Sequence, residues 1–84
     1  MADSLSELNK AVAKRDPQAI LEAIAGLVGV RMEYATQVEQ ATDYQRQVAT
    51  AQELAQWVQK EHERGFINAE EHAAIKRALG EVVA

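Results

Sequence analysis

Two histidines, His62 and His72, stand five residues either side of Ile67, with Glu61, Glu70 and Glu71 close by. If the chain folds back at Ile67, the imidazoles approach one another. A histidine pair with carboxylates could bind zinc or act as a proton-sensitive latch. The plainer reading is two histidines at the edge of a small core, each hydrogen-bonded once and needing no metal. Helical diiron and dimanganese sites need Glu-x-x-His on facing helices. Here Gln59 lies three residues before His62 and Ala69 three before His72. No cysteine is present to supply a thiolate or a zinc ligand. No Ser–His–acid set, phosphate-cradling glycine loop or paired buried carboxylates can be argued. The expectation is therefore no metal, no cofactor and no catalysis.

The remaining candidates concern binding. Tyr34, Tyr44 and Trp57 could anchor a partner, since aromatics dominate interface energetics. Core or self-association positions are the commoner use of such residues. The stretch from Gln37 to Gln47 is the most polar of the middle region. Within it Glu39, Asp43, Arg46 and Gln47 are candidates for a partner-binding face, although a solvated helix face is the ordinary explanation. Changes on such a face should alter binding and leave stability nearly alone.

These residues need helices to position them. Steps of seven from Ile20 run through Leu27, Tyr34, Ala41, Val48, Ala55 and His62, and a second track runs through Val30, Gln37, Tyr44, Ala51 and Val58. Apolar residues at this spacing line one stripe of a helix. No Gly or Pro falls between Val30 and Arg64, so no strong breaker interrupts it. The spacing predicts an all-α chain: a short N-terminal helix, a long central helix, and a C-terminal helix in an antiparallel hairpin. The central helix could be bent or broken near 26–29 or 42–43, where Thr42 and Gln45 form a usable capping box. The continuous form is favoured, because a helix hairpin normally spends a glycine at its stop. Continuous from Pro17 to Arg64, it would be ~70 Å long. A rod of that length cannot bury its stripe within one small domain, so Tyr34, Ala41, Val48 and Ala55 are expected to meet another copy.

Both ends carry local signals. Ser4 with Glu7 is a capping box, placing Leu5, Leu8 and Val12 on one face with Ala11 beside them. Asp16-Pro17 closes that helix and opens the next, folding it back on Ile20, Leu21, Ile24 and Leu27. Gly65 is the expected left-handed stop of the long helix. Phe66 and Ile67 should tuck beneath the turn. Asn68 with Glu71 caps a last helix whose His72, Ile75, Leu79 and Val82 share a face, set against Leu54, Trp57 and Val58.

The run Gly65-Phe66-Ile67-Asn68-Ala69-Glu70-Glu71-His72, followed by Lys76 and Leu79, resembles the short C-terminal helical domain called SHOCT. Asn68 stands where that family usually has Thr, and His72 where it usually has Phe. The resemblance covers about a third of the chain and implies an interaction or oligomerisation element without an active site. Leu8-Asn9-Lys10-Ala11, followed by Asp16-Pro17-Gln18-Ala19-Ile20-Leu21-Glu22-Ala23-Ile24, is similar to the opening of some helix-turn-helix antidote proteins. The recognition helix that should follow is missing, so DNA binding does not carry over.

Composition sets the outer bounds. Eighty-four residues make a single small domain. The net charge of −4 is spread along the chain, with nothing like the basic stripe that neutralises phosphates. No apolar run approaches the roughly 20 residues of a membrane span, and Met-Ala-Asp-Ser has no charged-then-apolar signal layout. A cytoplasmic protein is expected, in line with the absence of cysteine. The functional expectation is a non-enzymatic, self-associating helical module, with a dimer as first guess. It would cover a partner protein's surface as adaptor, chaperone or inhibitor, and could be phage or mobile-element encoded. The alternative is a small antitoxin-like or transcription or RNA regulator. A metal-binding sensor or an enzyme comes third.

Overall fold

Asp16 and Pro17 make the first corner as their chemistry dictates. The Asp16 side chain accepts from the Ala19 amide, and Pro17 takes the first helical position, where its missing N–H leaves nothing unsatisfied. The computed structural model describes residues 4–29 and 32–84, with side chains at 5–29 and 36–84. Five helices follow in order: α1 (Ser4–Lys14), α2 (Pro17–Val28), α3 (Met32–Gln40), α4 (Tyr44–Glu63) and α5 (Ala69–Val83). The fold is all-α, and no strand occurs among the described residues. The expected Ser4 cap rests on a side chain outside the described ones.

The central helix is not continuous. It is broken at both places the sequence marks as weak. α2 stops at Gly29, whose φ of 62° is left-handed and whose amide donates to Ala25 O. The second break, between α3 and α4, uses no glycine. Instead, three side chains cap the carbonyls at the end of α3. Gln18 Nε2 donates to Glu39 O at 3.1 Å and Gln47 Nε2 to Ala41 O at 3.2 Å, with Arg46 Nη1 reaching Gln40 O at a longer 3.5 Å. Helix-end carbonyls need partners of some kind, and side chains from α2 and α4 here replace a left-handed residue. Asp43, not Thr42, then caps α4, accepting from the Arg46 amide at 2.9 Å.

The breaks turn a ~70 Å rod into a body whose longest dimension is 32 Å. α2 lies at the centre and touches all four other helices, and α1 also packs on α5. The core joins Leu8 from α1, Ile20, Leu21 and Ile24 from α2, Val38 from α3, Leu54 and Val58 from α4, and Ile75 and Leu79 from α5. Each large side chain buried there contributes about 1.5–3 kcal/mol through removal from water.

Candidate functional site

The tip between α4 and α5 is fixed by caps on both of its sides. Gly65 has φ of 85°. Its amide donates to His62 O at 3.1 Å, and the next amide, Phe66 N–H, donates to Glu61 O at 2.9 Å. This nested pair is the Schellman arrangement, which needs a left-handed residue at the position Gly65 occupies. Beyond it, the Asn68 amide donates to Glu71 Oε1 at 3.0 Å while the Glu71 amide donates to Asn68 Oδ1 at 2.7 Å. The turn is thus closed by a helix stop on one side and a reciprocal helix start on the other.

Phe66 and Ile67 part company there. Ile67 is buried against the core, while Phe66 is 71 % exposed. The expectation that both tuck under the turn is therefore half right. In a Schellman stop the apolar residue after the glycine usually packs back on the third helical residue from the end. Here that residue is Glu61, which forms an ion pair with Arg64 at 3.5 Å and offers no apolar seat. Phe66 instead projects outward with the Arg64 guanidinium 5.6 Å from its ring centre, within cation–π range.

On the hairpin's flank His62 and His72 stack, with ring centres 4.2 Å apart and planes 6° from parallel. His62 Nδ1 lies 2.9 Å from Ile67 O, and a carbonyl only accepts, so that nitrogen donates. His72 Nε2 lies 3.2 Å from Gln59 Oε1. The Gln59 amide nitrogen in turn donates to Glu63 Oε1 at 3.2 Å, which fixes the amide orientation and makes His72 Nε2 a donor as well. Partial burial, followed by the neighbouring His62 and Lys76, holds the His72 imidazole below its ordinary pKa. Each ring thus has one bonded nitrogen. Among the described residues no three His, Cys, Asp or Glu side chains gather as metal ligands would.

The other candidate residues scatter. Glu39, Asp43, Arg46 and Gln47 do come together, but around the α3–α4 corner and largely in its construction. Asp43 caps α4 and pairs with Arg46 at 3.5 Å. Arg46 and Gln47 cap α3, and the Glu39 carbonyl is itself capped by Gln18. Of the residues expected to meet another copy, Ala41 is fully buried in the chain's own core, Val48 is half-buried and Ala55 is exposed. Tyr34 lies outside the described side chains. Ala41, Val48 and Ala55 do not form one free stripe, because the helix that would have aligned them is broken. Tyr44 is 56 % exposed and donates its hydroxyl to Val83 O at 2.9 Å, tying the start of α4 to the end of α5. No helix among the described residues is long and apolar enough to cross a membrane. No family model matches this chain, and comparison with curated proteins and with solved structures finds no match.

Proposed function

We propose that this chain is a small non-enzymatic protein-interaction module that docks through the α4–α5 tip, with Phe66 as its anchor. The observation that carries the reading is the 71 % exposure of Phe66 on a backbone held by the Gly65 stop and the Asn68–Glu71 cap. Single exposed apolar residues are common on protein surfaces. Phe66 differs in that its place is over-determined: the turn fixes its backbone and Arg64 covers one face of its ring. A rigid aromatic loses little freedom on binding, and buried aromatics with arginine are the usual centres of binding energy. The fitting partner is a protein offering an apolar socket edged by a carboxylate for Arg64.

Within that reading the C-terminal third serves as a SHOCT-like interaction element. The Gly65 stop, the Asn68 cap and buried Leu79 support the likeness. A cytoplasmic setting accords with a chain free of cysteine. The role is that of an adaptor, chaperone or inhibitor that acts by covering a surface. The test compares proteins captured by the wild-type chain and by Phe66→Ala, with melting curves beside them. Phe66 is largely exposed, so its loss should leave the melt within about 0.5 kcal/mol. A protein retained by the wild type and lost from Phe66→Ala supports the proposal. Identical capture profiles contradict it.

A further inference from the structure

We infer that the open groove between α1 and α2 is where a second copy of this chain docks, making a symmetric dimer in which each α1 lies over the partner's α2. The groove holds about 470 Å³. Its floor is apolar and shallow, formed by Ala19, Ala23, Gly26 and Leu27 of α2, beside Ala11. Its rim is charged, with opposite balances on its two sides. The α1 side carries Glu7, Lys10 and Lys14, a net charge of +1, and the α2 side carries Glu22, a net charge of −1.

That asymmetry selects the occupant. A two-fold axis running along the groove sets the positive α1 rim of each copy over the negative α2 rim of the other. A symmetric dimer repeats every contact twice, so each complementary pairing counts double. Two chains of net charge −4 repel wherever their acidic surfaces meet, and this rim has no net charge. Among the described residues neither Lys14 nor Glu22 has an ion pair within its own chain, so both are available across the interface. The small floor residues let a second helix approach closely. At Gly26 an added Cβ would meet nothing among the described residues. The chain therefore tolerates the roughly 1 kcal/mol cost of a glycine inside a helix without using the space itself. The interface differs from the expected seam through Tyr34, Ala41, Val48 and Ala55, and it does not depend on Phe66.

Sedimentation equilibrium of the full chain, from micromolar to several hundred micromolar, tests it. The wild type should approach twice the chain mass of 9.3 kDa at the upper end. Glu22→Lys and Lys14→Glu should each weaken the dimer at least about tenfold, and the double swap should recover most of the loss. Gly26→Arg should keep or raise the monomer's melting point, since the site is open and Arg favours helix, yet abolish dimerisation by filling the groove. Phe66→Ala should leave the association unchanged, which separates this inference from the docking tip. A wild type that is monomeric throughout overturns it. So does a dimer indifferent to all three groove changes.

Discussion

His62 and His72 stack across the α4–α5 hairpin with ring centres 4.2 Å apart and planes 6° from parallel. Their donating nitrogens are committed to Ile67 O and Gln59 Oε1. Partial burial, then the neighbouring His62 and Lys76, disfavour a charge on His72. In the unfolded chain His72 titrates near the ordinary value of about 6.5, while in the folded chain its pKa is lower. Between those values the unfolded state binds more protons, so stability falls as pH drops through about 6.5, levels off below the folded value, and is unaffected well above it. His72→Phe removes one titrating ring and keeps an aromatic at the position. Melts at about pH 7.5 and 5.5, bracketing the ordinary histidine value, should show a smaller drop for His72→Phe than for the wild type. Equal drops would show that His72 does not sense protons.

Two of the left-handed positions, Gly65 and Arg15, predict shifts of opposite sign. Gly65, at φ 85°, should not tolerate a β-branched residue, and Gly65→Val should cost about 1–2 kcal/mol. Arg15 is also left-handed, at φ 53°, and it closes α1 through bonds from its own amide to Val12 O and from Asp16 N–H to Ala11 O. Arg15→Gly relieves strain of about 1–2 kcal/mol against an entropic cost of about 0.5–1, for a net gain of roughly 0.5 kcal/mol. Thermal melts check both. A lower melting point for Arg15→Gly would show that Arg15 is held by something other than its backbone.

Asp43 and Arg46 should behave as structural residues. Removing the Asp43 side chain deletes the α4 N-cap, worth about 0.5–2 kcal/mol. Asp43→Ala should therefore lower the melt, and Asp43→Lys with Arg46→Glu should lower it further, because a cation then faces a helix N-terminus. This reverses the expectation that changes here leave stability alone. An unchanged melt for the double variant would return these residues to the list of free surface positions.

Much of the fold was legible in the residues themselves. Asp16-Pro17, Gly65 and Asn68 with Glu71 each announce a helix end through a local requirement, and all three occur where expected. The apolar faces of α1, α2 and α5 follow from spacing, down to buried Leu8, Ile24 and Ile75. The α3–α4 corner was legible only as the less favoured reading, a break near 42–43. A heptad count carries straight through Ala41, and the carbonyl caps that replace a glycine come from Gln18, Arg46 and Gln47. Gln18 is 21 residues from its acceptor, a distance no local pattern spans. The histidine stack was legible in outline from its symmetry about Ile67. The exposure of Phe66 was not, because it turns on the missing apolar seat at Glu61.

The docking role of Phe66 is tested most directly by placing a photo-crosslinking phenylalanine analogue at position 66 of the full chain and irradiating it in its native cells. A control carries the same analogue at exposed Ala55, on the outer face of α4. A discrete adduct with another protein is expected from position 66 and none from position 55. No adduct from position 66, or the same adducts from both positions, would contradict it.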